Sequence, residues 1–191
     1  MKEKIERREL ILNSAMTLIR SSGMEGLAMR KLADLIEYSP CVVYETFPNK
    51  DSLIHGLFSI VCDELWEVLN SICPTDNPEI YFRKLIGKDI EFMTNEPHRV
   101  ELFTIVNTQT SPNEFPPSMQ KIIHLIGKSL KNLGFQKLST EQEITDAQDI
   151  VRTFLGGILK LSISQRSGEG LSRCNRILEN GLTVLLDGWR K

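Results

Sequence analysis

From Arg8 to Ser21 the apolar residues Leu10, Ile11, Ala15, Leu18 and Ile19 recur at helical spacing and stop near Gly23, which predicts an amphipathic helix. Leu27 to Glu37 repeats the pattern with Leu32, Ala33, Leu35 and Ile36 and predicts a second, shorter helix. A break at Tyr38 and Ser39 precedes Pro40. Ser39 suits an N-cap, and Pro40 suits the first helical position, where a missing N–H costs nothing. Val42 to Phe47 has strong strand propensity. The cap, the proline and the lack of any partner strand nevertheless predict a helix of about one to two turns.

Pro48 closes that segment and Asn49 can cap the next, predicted from about Asp51 to Ile72. Its stripe of Ile54, Leu57, Phe58, Val61, Leu65, Val68, Leu69 and Ile72 is widened by Cys62, Trp66 and Cys73. A helix apolar over so broad an arc is buried on more than one side. Further helices are predicted at 78–95, 97–109, 117–133, 140–165 and 171–189, divided by Asn95–Pro97, Thr110–Pro117, Gly134 and Ser167–Gly170. The pattern is all-α with about nine helices and no internal repeat.

At 191 residues, 41% hydrophobic and 25% charged, the chain has the makeup of a globular protein, which excludes disorder and fibre. No apolar run approaches the roughly 18 to 20 residues that span a bilayer. Met1 to Leu10 is charged throughout and lacks the hydrophobic stretch of a signal peptide. A soluble, cytoplasmic protein with no membrane partner is expected.

Bulk charge does not point to nucleic acid. The net charge is −2. In residues 1–55 Lys2, Lys4, Arg7, Arg8, Arg20, Arg30, Lys31 and Lys50 are balanced by Glu3, Glu6, Glu9, Glu25, Asp34, Glu37, Glu45 and Asp51. Any DNA-binding claim therefore rests on where the cations sit. Cys41, Cys62, Cys73 and Cys174 contain no Cys-x-x-Cys pair and read as small apolar fillers, with Cys62 and Cys73 on one helix. His55, His98 and His124 are scattered. His98 and Glu101 could share a helical face, but a zinc site needs three or four ligands, so His98 is expected on the solvated surface. No metal and no cofactor is expected.

A longer helix followed by two short ones with a tight break is the layout of a helix-turn-helix module, whose third helix enters the major groove. Here the residues also resemble a family. From Arg8 to Leu53 the chain is similar to the N-terminal domain of TetR/AcrR-type transcriptional regulators, through Arg8, Ile11, Leu12, Ala15, Leu18, Gly23, Gly26, Arg30, Leu32-Ala33, Ser39, Val43-Tyr44, Phe47, Lys50 and Leu53. The run from Leu32-Ala33 through Ser39, Val43-Tyr44, Phe47 and Lys50 to Leu53 is the specific part. The chain departs from the pattern at Glu37, where the family usually has glycine, at the bulkier Cys41 and Val42, and at the acidic Glu45.

The resemblance implies a domain at 1–50 that binds double-stranded DNA at a palindromic operator, and one at 51–191 that binds a small-molecule effector and forms a homodimer. It implies that Tyr44 and Lys50 contact phosphates, with Ser39 and the opening N–H groups of its helix facing the same backbone. Arg30 would reach a phosphate or a guanine edge, and Thr46 is a further backbone candidate. Pro40, Cys41, Val42 and Glu45 would face bases, the apolar ones favouring thymine methyls and Glu45 accepting from cytosine N4. Val43 and Phe47 read as core. Lys2, Lys4, Arg7 and Arg8 form a mixed-charge arm expected on solvent.

Beyond residue 50 no Gly-rich phosphate loop, metal cluster or nucleophile–base motif is visible, so an enzyme is not expected. Ala147, Val151, Phe154, Leu155 and Ile158 form one stripe, and Leu171, Cys174, Leu178, Leu182, Leu185 and Trp189 another, as a dimer seam would. Gly156-Gly157 costs a helix about 2 kcal/mol relative to two alanines, so a close helix–helix approach is expected there. Trp66, Phe92, Phe103 and Asn107 are the candidates for an effector pocket, and an apolar or amphipathic effector is expected. The function expected is a ligand-responsive regulator acting as a repressor. The alternative is a helical small-molecule or lipid carrier that has lost DNA binding, which the charge balance of residues 1–55 and Glu45 favour.

Overall fold

The computed structural model describes residues 2–109, 114–164 and 168–190, with side chains left out additionally at 108–109, 164 and 168–171. Nine α-helices follow one another among these residues: α1 (Lys2–Ser22), α2 (Met29–Leu35), α3 (Pro40–Thr46), α4 (Lys50–Asn70), α5 (Pro78–Asn95), α6 (Pro97–Gln109), α7 (Pro117–Lys131), α8 (Glu141–Ser164) and α9 (Gly168–Arg190). The fold is all-α, as expected. None of the described helices is long and apolar enough to cross a membrane. The linker Thr110–Asn113 and the break at 165–167 lie outside the described residues.

Local chemistry explains the boundaries. Pro40, Pro78, Pro97 and Pro117 each open a helix where no N–H partner is needed. Asn49 and Ser52 form a reciprocal capping box on α4, the Asn49 side chain accepting from the Ser52 N–H at 2.8 Å. Asn77 accepts from the N–H groups of Glu79 and Ile80 to start α5. At the end of α1 Gly23 takes φ 69°, and its N–H returns to the Ile19 carbonyl at 2.8 Å.

Five expectations are corrected. The charged arm is not separate, because α1 starts at Lys2, and α2 is shorter than the apolar pattern of Leu27–Glu37. Cys73 falls beyond α4, and it and Cys41 are exposed, so only Cys62 and Cys174 are fillers. His98 is buried, with 7% of its surface exposed, because it turns inward onto Glu96. The fifth concerns the stripes of α8 and α9. Val151, Leu155, Ile158, Leu178 and Leu182 are buried within the single chain, because α8 is enclosed by α5, α6, α7 and α9.

The core is continuous from α1 to α9. At its centre α4 packs against α1, α5, α6 and α7, which is what its broad apolar arc requires. The close approach of α8 and α9 occurs at Gly181, where a Cβ would overlap the Phe154 ring. At Gly156 and Gly157, where a close approach was expected, an added Cβ would meet nothing within 4 Å in the single chain.

Candidate nucleic-acid interface and cavity

Between α2 and α3 the chain reverses through Ile36 to Ser39. The Tyr38 N–H returns to the Ala33 carbonyl at 3.1 Å and the Glu37 N–H to Asp34 at 3.3 Å. This double bond pattern is a Schellman motif, and it places Glu37 in the left-handed region at φ 57°. The position is the one where the family resemblance implies glycine, and a side chain there costs about 1 kcal/mol. Ser39 occupies the N-cap of α3 with extended backbone, but its side chain makes no capping hydrogen bond. Pro40 has no N–H to offer, and the Val42 N–H goes to the Ser39 carbonyl at 3.0 Å. The Ser39 hydroxyl faces solvent.

One side of α3 is core and the other is open. Val43 and Phe47 are buried, Val42 and Thr46 are half-buried, and Pro40, Cys41, Tyr44 and Glu45 are exposed, Tyr44 by 46%. Cys41, Tyr44 and Glu45 share a face by their three- and four-residue spacing. The Cys41 thiol lies 4.0 Å from Glu45 Oε1. The Thr46 hydroxyl donates to the Val42 carbonyl at 3.2 Å, which leaves its oxygen free to accept.

The cations sort into engaged and unengaged. Lys2, Arg7 and Arg20 pair with Glu6, Glu3 and Glu96, and Arg8 stacks over the Phe47 ring at 5.0 Å. Arg30, Lys31 and Lys50 are exposed and form no ion pair among the described residues. Arg30 and Lys31 open α2 and Lys50 opens α4, the two helices that flank α3 in sequence. An open helix face between unpaired cations is a surface that duplex DNA can meet, with phosphates on the cations and base edges on the face.

A second cluster lies where α1 meets the corner between α5 and α6. Arg20 Nε donates to Glu96 Oε2 at 3.1 Å, Arg99 Nη2 reaches Glu96 Oε1 at 3.1 Å and Glu64 Oε2 at 3.2 Å, and His98 Nε2 lies 3.2 Å from Glu96. Arg99 also covers the Phe92 ring at 3.8 Å and donates to the Phe92 carbonyl. Burial alone would raise the Glu96 carboxyl, but the Arg20 hydrogen bond and the charges of Arg99, Arg20 and His98 hold it below its usual range. Burial, aided by Arg20 and Arg99 and opposed by Glu96 and Glu101, lowers His98. Nothing in the sequence pattern joins Arg20 to Glu96, which are 76 positions apart.

Helices α4 to α8 enclose a cavity of about 330 Å³. Phe58, Leu65, Phe103, Ile122 and Leu155 contribute to a largely apolar wall, together with Val151, which had been expected at a dimer seam. Of the four candidates for an effector pocket, Phe103 lines the cavity and the other three do not. Trp66 is half-buried beneath Lys121 at 5.6 Å, Phe92 lies under Arg99, and Asn107 is exposed. Sequence reasoning missed Asp89, Gln148 and Arg152, which also line it. A signal for Asp89 exists, because it interrupts the apolar series Phe82, Leu85, Ile86, Ile90 and Met93 on α5. Burial raises the Cys62 thiol, with Asp63 and Asp89 adding to the effect, so this cavity-lining cysteine stays neutral.

The outer faces of α8 and α9 leave Ile150 exposed by 43% and Val184 by 71%. Phe154, Gly156, Leu185 and Trp189 are half-buried. Leu171 lies outside the described side chains.

Residues 11–57 match the family model of bacterial regulatory proteins of the tetR family, the family whose resemblance the sequence carries. No curated protein matches the chain. Solved structures do. A possible TetR family transcriptional regulator from Streptomyces coelicolor is 17% identical, covering 96% of this chain and 98% of that one with a TM-score of 0.73. A TetR variant from Acinetobacter baumannii AYE in complex with minocycline is 17% identical over 93% of both chains, with a TM-score of 0.72. BioQ with its natural double-stranded DNA operator is 17% identical over 96% of this chain and 97% of that one, with a TM-score of 0.70. At these identities the likeness is one of fold.

Proposed function

We propose that this chain, with the fold of TetR-family transcriptional regulators and that family's domain at residues 11–57, is a homodimeric repressor that leaves its operator when a small molecule fills the cavity. The observation that carries the proposal is the open face of α3 between the unpaired cations of α2 and α4. The solved relatives named with minocycline and with a DNA operator support it by analogy.

In this mechanism residues 1–50 hold the DNA. Tyr44, Lys50, Ser39 and Thr46 meet phosphates, Arg30 a phosphate or guanine, and Pro40, Cys41, Val42 and Glu45 the bases. Residues 51–191 bind effector and form the dimer, for which the exposed Ile150 and Val184 and the open sites at Gly156 and Gly157 give α8 and α9 an apolar outer face. Two routes join the cavity to the DNA face. Helix α4 begins at Lys50 and lines the cavity with Phe58 and Leu65, and its 21 residues span about 30 Å. The second route is Glu96, which ties α1 to the α5–α6 corner one turn beyond the cavity residue Met93. Dimeric half-sites about 34 to 36 Å apart tolerate little change in the spacing of two α3 helices, so a ligand that shifts either route weakens DNA binding.

Fluorescence anisotropy on a panel of duplexes tests the assignment. Lys50→Ala and Tyr44→Phe are expected to weaken binding evenly across sequences, several-fold each, and Val42→Ala to change the order of preference. Wild-type affinity in Lys50→Ala would remove the role given to that ammonium. The exposed Glu45 on the same face favours a second reading, a helical carrier without DNA binding. That reading predicts no duplex binding by the wild-type chain at low salt.

A further inference from the structure

The cavity wall contains three charged side chains, Asp89, Asp149 and Arg152. Two of them cancel: Arg152 Nη2 meets Asp149 Oδ1 at 3.0 Å, and Asp149 is exposed, so the pair forms a neutral rim. Asp89 stands apart. It projects from the middle of α5, and among the described residues it has neither a hydrogen bond nor a salt bridge. The groups facing it are few. Helix α4 gives the cavity only the neutral Cys62 as a titratable group, α8 gives the Asp149–Arg152 pair, and α6 and α7 give none. Burial raises the Asp89 carboxyl from its ordinary range to about 7. Cys62 feels Asp89 as a nearby negative charge.

A half-buried carboxyl without a partner on the wall of a largely apolar chamber is costly when ionised, and a guest that brings it a partner removes that cost. A neutral guest could at most donate a hydrogen bond and leave the carboxylate charge uncompensated, and an anionic guest would be repelled. A guest with an apolar body and one ammonium would fill the chamber and neutralise the carboxylate in the same event, and that charge-assisted contact is strong in a low-dielectric site. We infer that the effector is a lipophilic monocation, an amine with an apolar body, whose charged nitrogen pairs with Asp89 while its body lies among Phe58, Leu65, Phe103 and Leu155. This deepens the regulatory proposal and rests on its cavity being the effector site.

Three probes that differ only in head group test the inference: decylammonium, decanol and decanoate. Each is titrated calorimetrically into the full-length chain at pH 8, and into Asp89→Asn and Leu155→Trp. Decylammonium is expected to bind at least tenfold more tightly than decanol, with decanoate weakest. The decylammonium-to-decanol ratio is expected to fall close to one in Asp89→Asn and to shrink in the wild type at pH 5.5, where Asp89 takes up its proton. Leu155→Trp, which fills the chamber, should lose all three, and circular dichroism checks that both variants fold. Equal affinities, a preference for decanoate, or a cation preference that survives Asp89→Asn would overturn the assignment. Decanol or decanoate that binds as tightly as decylammonium or more tightly and releases DNA would overturn only the charge assignment and leave the regulatory proposal standing. Binding of none of the three would overturn the assignment together with the cavity's role.

Discussion

Glu37 is the clearest case of a residue chosen against local preference. The Schellman turn between α2 and α3 needs a left-handed residue, and a Cβ there is strained. Glu37→Gly is expected to stabilise the fold by about 0.5 to 1 kcal/mol, an increase of roughly 1 to 4 °C in Tm for a chain of this length. Thermal denaturation checks it, and an unchanged or lower Tm would show that the Glu37 side chain has a stabilising contact. Titratable residues pull in two directions. Glu96 and His98 both have lowered values, so each contributes stability that is complete above its unfolded value and is lost as pH falls through the folded one. Acidification below about 6.5 therefore removes the stability that His98 contributes, and Glu96 loses its share at lower pH. Glu96→Gln, after allowance for solvent screening of a half-buried group, should cost about 1 kcal/mol at pH 7 and less near pH 4. An equal loss at both values would contradict the ion-pair account. Asp89 acts oppositely. Its raised value means that stability present at low pH is lost as pH rises through about 7.

At the scale of elements the prolines made the sequence readable. Pro40, Pro78, Pro97 and Pro117 announce helix starts because their chemistry is local, and each marks one in the fold. The same locality explains why Val42–Phe47 could be read as helix despite its strand propensity, since Ser39-Pro40 sets the backbone before the β-branched residues begin. What was not legible is which neighbour covers an apolar stripe. Val151 and Leu155 look like a dimer seam in sequence, and in the fold they line a cavity of their own chain. Periodicity defines a face but carries no information about the partner. His98 was misplaced for a related reason, because its burial depends on Glu96 and on Arg20 far away in sequence. Asp89 was visible as a break in an apolar series, and only the packed bundle places it on a cavity wall without an ion-pair partner among the described residues.

In the whole molecule the open face of α3 and the cavity belong to one packed body, joined by α4 and by the Arg20–Glu96 contact. The near-neutral chain can bind DNA only through local placement of charge. A dimer that uses Arg30, Lys31 and Lys50 of each protomer should lose affinity with a slope of about −5 in log K against log salt. A slope near zero would mean that these cations are not on phosphates. The central claim is that the open face of α3 lies in a major groove. Selection of bound duplexes from a random pool tests it most directly. The account predicts enrichment of an inverted repeat with half-site centres about 34 to 36 Å apart, and loss of that enrichment in Lys50→Ala. A pool that emerges without any enriched sequence, or an enrichment that Lys50→Ala leaves intact, would contradict it.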